Sequence, residues 1–150
     1  MIKKQCERDA AFAWDVLQQA PYAVLAMSEQ SGAPYCIPVS PVCCGGVIYL
    51  HCALRGRKLD LLKDNPRICL TAVAQYTVDS PGYTMHYASA VVQGQAHLVE
   101  DSREFQEALY QISRHYSGAD LDKFDEMMAH YGKAARVIRI DVDRITGKEN

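Results

Sequence analysis

The segment Val47 to Asp60, VIYLHCALRGRKLD, constrains this chain most: a β-rich run ends on a histidine, and a glycine between two arginines leads straight into a helix. Side chains alternate along a strand, so Val47, Tyr49 and His51 share one face and Ile48, Leu50 and Cys52 the other. Gly56 permits a tight turn. From Arg57 onward Leu59 and Leu62 are spaced for one helical face, and Asp64-Asn65-Pro66 forms the stop. The first turn of such a helix offers unpaired backbone N–H groups and the positive end of the dipole, to which Arg55, Arg57 and Lys58 add side-chain charge. Cations there slightly disfavour an isolated helix, so an anion, phosphate above all, is expected to justify them. A solvated basic loop is the plainer alternative.

With 150 residues, 49% of them hydrophobic, the chain is long enough for one domain with one core. Lys and Arg number 16 against 18 Asp and Glu, a net charge of −2, so no global field draws nucleic acid or an anionic membrane. The basic residues between Arg55 and Arg67 are therefore a local feature. The opening MIKKQCERDAAFAW is charged and enters an amphipathic helix without the apolar stretch of a signal peptide, and no later segment reaches membrane-spanning length; a cytoplasmic protein is expected. Six cysteines (Cys6, Cys36, Cys43, Cys44, Cys52, Cys69) form no CxxC pair, and several sit in apolar runs where a thiol acts as a small hydrophobe, so neither a disulfide framework nor a metal site is expected. Cys43 and Cys44 are adjacent, and adjacent residues of a strand point to opposite faces.

The order of elements follows from periodicity. Asp9 to Gln19 is helix-like, with Phe12, Val16 and Ala20 at spacing four, and Pro21 closes it. Tyr22 to Met27 is a short strand, followed by a polar turn into Pro34 to Val42. That second strand carries Pro38 and Pro41, which cannot donate to a ladder, so it belongs at an edge, at a bulge, or against a ligand. Cys44-Gly45-Gly46 turns into Val47 to Cys52. Arg67 to Tyr76 and the long run Met85 to Val99, interrupted by Gly94, are strands, the second bent as at a barrel corner. Asp101 and Glu104 form a capping box for a helix bearing Phe105, Ala108, Leu109, Ile112 and Tyr116, and a second helix spans Asp120 to Tyr131. In the last strand, Ala135 to Ile145, Ile138, Ile140 and Val142 face one way and Val137, Arg139, Asp141 and Asp143 the other. These elements read as a single small β-barrel dressed with helices.

The chain resembles the FMN-binding split-barrel proteins related to pyridoxamine 5′-phosphate oxidase, and within them the nitroimidazole-resistance group. The residues that carry the likeness are Tyr22-Ala23-Val24-Leu25-Ala26, Gly32-Ala33-Pro34-Tyr35-Cys36-Ile37-Pro38-Val39, Ile48-Tyr49-Leu50-His51-Cys52-Ala53 and Gly56-Arg57-Lys58-Leu59-Asp60. Asn65-Pro66-Arg67-Ile68, Tyr87-Ala88-Ser89-Ala90-Val91-Val92-Gln93-Gly94 and Ile145-Thr146-Gly147-Lys148 extend it nearly end to end. The turn Cys43-Cys44-Gly45-Gly46 and the small Ala88 depart from the pattern, which bears on substrate rather than on the phosphate segment.

The resemblance implies a six-stranded, mainly β split barrel with helices, a homodimer with two FMN molecules at the subunit interface, and a small-molecule substrate. It puts Arg57 and Lys58 on the phosphate, the backbone around Val39, Ser40, His51, Cys52 and Ala53 along the flavin, and Tyr87, Ser89, Thr146 and Lys148 at the rim or from the partner. It implies an FMN-dependent oxidoreductase acting on a small aromatic or nitro compound such as a 5-nitroimidazole. Flavin carries the electrons, and a histidine beside the ring can donate the protons that nitro reduction needs, which makes His51 the candidate catalytic residue. A histidine satisfied by a backbone partner is the alternative for His51. Two other functions stay open: a flavin-binding or storage protein without catalysis of its own, and a split barrel that holds haem or a deazaflavin instead.

Overall fold

The computed structural model describes residues 3–150. Its elements are β1 (Glu7–Arg8), α1 (Ala10–Gln19), β2 (Ala23–Ser28), β3 (Pro34–Val39), β4 (Val42–Cys44), β5 (Val47–Ala53), α2 (Arg57–Asp64), β6 (Arg67–Asp79), β7 (Thr84–Leu98), α3 (Ser102–Tyr116), α4 (Phe124–Tyr131) and β8 (Ala135–Glu149). The strands form one antiparallel sheet in the order β3-β2-β6-β7-β8-β5-β4, with β1 paired to the C-terminal end of β8. Among the described residues the fold is mainly β with four α-helices, of the α+β class.

Its edges explain its shape. The two edge strands, β3 and β4, are consecutive in the chain and joined through Ser40 and Pro41 alone. Three steps of extended chain reach at most about 11 Å, so the sheet must curl until its two ends nearly meet. Pro38 sits on an edge strand opposite Val24, the kind of strand that tolerates a residue without an N–H. The barrel is thus closed by covalent chain at one point and left split along the rest of that seam.

The strand count is eight rather than the expected six. The run from Pro34 to Val42 breaks at Ser40-Pro41 because the chain there leaves one edge and joins the other, and Glu7–Arg8 adds a two-residue strand opposite Gly147 and Lys148. Three other boundaries also move. β6 and β8 run on to Asp79 and Glu149, and the first part of the second expected helix is a 3-10 segment, Gly118–Lys123.

The barrel interior is apolar, filled by Leu25, Ile48, Leu50, Leu70, Val92 and Ile140, each no more than 2% exposed. α1 closes one side with Ala13, Val16 and Leu17, its first turn capped by the Asp9 carboxylate, which accepts from the Phe12 N–H at 2.9 Å. Gly94 lies at a register shift between β7 and β8. A Cβ there would sit 2.2 Å from the Asp141 carbonyl oxygen, so only glycine lets the two backbones approach this closely.

A second, smaller core lies on the other face of β5 and β8, where Val42, Val99 and Val137 meet Ala108, Leu109 and Ile112 of α3. Val137, which alternation groups with Arg139 and the aspartates, is on the expected face but fully buried, because α3 covers that end of β8. Among the described residues no helix is long and apolar enough to cross a membrane.

Candidate functional site

The end of β5 and the start of α2 build the site. Alternation along β5 turns Cys52 into the core and leaves His51 and Ala53 exposed on the outer face, opposite Val137 and Ala135 of β8. Leu54 and Arg55 follow, and Gly56 has φ +146°, a left-sided conformation that L side chains avoid. It reverses the chain into α2, which is anchored by the buried Leu59, Leu61 and Leu62. Gly56 brings no capping side chain, and its carbonyl takes the N–H groups of Leu59 and Asp60. The N–H groups of Arg57 and Lys58 thus stand at the open, positive end of the helix.

Two cations ring this point and a third joins them from β8. Arg57 stacks over the Tyr35 ring, 4.5 Å from its centroid, and pairs with Glu29, whose carboxyl the guanidinium holds below the usual carboxylate range. Lys58 and Arg136 both act on the buried Cys52 thiol: burial pushes that thiol up, and the two positive charges pull against it. Arg136 arrives from β8, directly opposite Cys52.

Beside this cationic end lies a cavity of about 510 Å³. Ser40, from the link between the two sheet edges, and His51 form its barrel wall; Ile112, Ser113 and Tyr116 of α3 and Met127 of α4 form the other. Tyr116 donates its hydroxyl to the Pro41 carbonyl at 2.7 Å, which ties the last turn of α3 to the link that closes the barrel. Val39, the residue before Ser40, ends β3 half-buried against the main core.

The remaining predicted residues lie elsewhere. Ser89 pairs with Lys148 and donates to its carbonyl at 3.4 Å; the Lys148 ammonium sits 4.9 Å from the Tyr87 ring centroid. Thr146 donates to the Val91 carbonyl at 3.5 Å and borders a separate hollow of about 280 Å³. The register places His51 opposite Val137 and Ser89 opposite Lys148, so the two groups are eleven residues apart along β8, about 36 Å of extended strand. One chain does not bring them together.

A family model for pyridoxamine 5′-phosphate oxidase matches residues 9–149. The chain belongs to the pyridoxamine 5′-phosphate oxidase family. Solved structures share the fold. A candidate 5-nitroimidazole antibiotic resistance protein from Bacteroides thetaiotaomicron is 24% identical with a TM-score of 0.77, over 95% of this chain and 84% of that one. A flavocytochrome from Azotobacter vinelandii is 19% identical with a TM-score of 0.82, over 97% and 70%. An FAD and heme binding protein from Mycobacterium smegmatis is 18% identical with a TM-score of 0.77, over 95% and 71%. No curated protein matches the chain significantly.

For this member of the pyridoxamine 5′-phosphate oxidase family, three neighbours of the site escape sequence reasoning. Arg136 reaches it only through the β5–β8 register, Glu29 through a turn two strands away, and Tyr116 as the far end of a helix whose other residues read as core. No local pattern marks any of them.

Proposed function

We propose that this protein is a flavin-dependent reductase that holds FMN by its phosphate at the start of α2 and acts on a small aromatic or nitro compound beside His51. The observation that carries the proposal is the conjunction at one strand end: a cationic helix N-terminus directly follows a strand that points a histidine into a cavity. Membership of the family supports it, as do flavin-binding relatives on the same fold.

The residues present fit the cofactor. Arg57 and Lys58, with their own N–H groups, match a phosphate in charge and donor geometry. Val39, Ser40, Cys52 and Ala53 supply backbone and small side chains along which a flat ring can lie. When bound, FMN supplies the electron storage and transfer. The chain supplies the rest: Arg57 leaves or shares Glu29 to bind the phosphate, and the His51 imidazole holds and delivers a proton at the cavity wall.

The separation along β8 supports a second copy in the complete site. Tyr87, Ser89, Thr146 and Lys148 contribute to a flavin at His51 if a partner subunit presents them. The hairpin that carries Tyr87 also exposes Val73, Tyr76, Val78 and Met85, apolar surface of the kind a dimer covers.

The test is an FMN titration of the purified protein, followed by absorbance and by turnover of a nitroimidazole with a chemical reductant. A yellow complex is expected. Arg57→Ala and Lys58→Ala should each weaken FMN binding by about 10- to 100-fold, the scale of a charge-assisted hydrogen bond; unchanged affinity would remove the phosphate assignment. His51→Ala should keep FMN and lose roughly 100-fold in nitro turnover. Full turnover in that variant would end its proton-donor role.

A further inference from the structure

We propose that Tyr35 is a positioning residue for the cofactor phosphate: its ring, together with the Glu29 carboxylate, holds the Arg57 guanidinium in place at the start of α2. The proposal rests on the flavin-phosphate reading and adds to it two residues, both outside α2, that order its arginine.

Local structure explains why these two reach the site. Alternation along β3 turns Tyr35, Ile37 and Val39 toward the main core, against which all three pack half-buried. Tyr35 is the first of them, opposite Met27 and nearest the turn that joins β2 to β3. That turn is tight. The Glu29 N–H donates to the Ala33 carbonyl at 2.9 Å, the Gly32 N–H donates to the Glu29 carbonyl at 2.9 Å, and Gly32 has φ +86°. Glu29 and Tyr35 therefore stand on its two arms and meet Arg57 together, one at an edge of the guanidinium and the other on its face.

The chemistry divides between edge and face. A guanidinium is planar and carries several N–H donors in a fixed fork. Glu29 takes one of them, on Nη2, and the guanidinium makes no other hydrogen bond among the described residues, so its remaining donors suit phosphate oxygens. The Tyr35 ring, with its centroid 4.5 Å from the guanidinium carbon, offers only its π face and consumes no donor. The Arg57 side chain is 56% exposed, and an unheld side chain of that length loses its rotamer freedom when it binds. Stacking removes that loss beforehand. It does so without adding a charge that repels phosphate, which is why the ring, and not the carboxylate, is assigned the larger part. A lysine at position 57 would bring the same charge but neither the plane nor the fork.

Flavin-fluorescence titrations of the full chain with FMN and with riboflavin, which has the same ring but no phosphate, test the assignment. Tyr35→Leu should weaken FMN binding by about three- to tenfold, the scale of a cation–π contact, and leave riboflavin within about twofold. Tyr35→Phe, which keeps the ring, should bind FMN like the parent. In an Arg57→Ala background Tyr35→Leu should cost FMN nothing further. Arg57→Lys should lose affinity for FMN and not for riboflavin. The proposal is overturned if Tyr35→Leu leaves FMN binding unchanged, weakens both flavins alike, or costs as much without Arg57. It is also overturned if Tyr35→Phe loses as much as Tyr35→Leu, or if Arg57→Lys matches the parent. If Tyr35→Leu does not fold, Tyr35→Ile takes its place, and the Arg57→Lys comparison decides on the unsubstituted tyrosine. If the parent binds neither flavin, the flavin reading falls, and titration of the same variants with inorganic phosphate, followed by the Arg57 Nε–H resonance, decides the positioning role. Weaker phosphate binding by Tyr35→Leu than by the parent upholds it, and equal binding overturns it.

Discussion

The two faces of β5 pack in opposite ways. Inward, Ile48 and Leu50 join a barrel interior that holds no polar side chain among the described residues. Outward, Tyr49 and His51 face a layer in which apolar contacts with α3 are mixed with charge. The Tyr49 hydroxyl donates to Glu104 Oε1 at 2.8 Å, Arg139 donates to the same oxygen at 2.8 Å, and Arg139 reaches Asp141 at 2.8 Å. Burial and the Glu104 carboxylate push the Tyr49 phenol up to about 12, while Arg139 and then Tyr49 hold Glu104 low. The inner face uses its residues on close packing. The outer face leaves a cavity and a histidine that packing does not consume, so one strand supplies both the scaffold and the site by alternation.

That contrast can be broken in three places. The largest effect belongs to the interior. Ile140→Ala removes a fully buried side chain from the barrel and should cost about 2–5 kcal/mol in urea unfolding. Ile112→Ala, on the wall of the cavity, should cost about 2 kcal/mol or less, since part of its surroundings is already empty. An equal loss at the two positions would mean that the outer layer is packed as tightly as the barrel.

Glu104→Gln should cost on the order of 1 kcal/mol, because Glu104 and Arg139 both keep partial access to water. Its pH dependence has a definite sign. The folded-state pKa of Glu104 is lowered, so the ion pair stabilises fully above the unfolded carboxylate value, and that contribution is lost as pH falls through the lowered one. The difference in stability between the parent and Glu104→Gln should therefore shrink below about pH 4.5. A difference that persists at lower pH would show that Glu104 acts through packing.

Local signals in the chain decide the structure wherever a short stretch suffices. Asp9 and Asp101 cap α1 and α3, Gly45 and Gly46 turn β4 into β5 with φ of +58° and +86°, and α2 begins at Arg57 and ends at Asp64 before Asn65-Pro66. The capping box at Asp101 is half realised: Asp101 accepts from the Arg103 and Glu104 N–H groups, but Glu104 turns to Tyr49 and Arg139 instead of back to the cap. A tertiary charge outbid a local one. The same competition puts Arg57 on Glu29 and Tyr35, partners that its helix position does not suggest.

By itself the sequence determined the parts whose causes lie within a few residues: the alternation that sends His51 out and Cys52 in, the glycine turn after Arg55, and the cationic start of α2. Only the tertiary structure decided that the two sheet edges meet at Ser40-Pro41, that Arg136 stands opposite Cys52, that α3 and α4 roof a cavity over His51, and that Tyr87 and Lys148 lie far along β8 from it. The physical reason is reach. Turns, caps and periodicity act through neighbouring backbone, whereas strand register and closure are set by which distant faces bury each other, and no local stretch of chain encodes that.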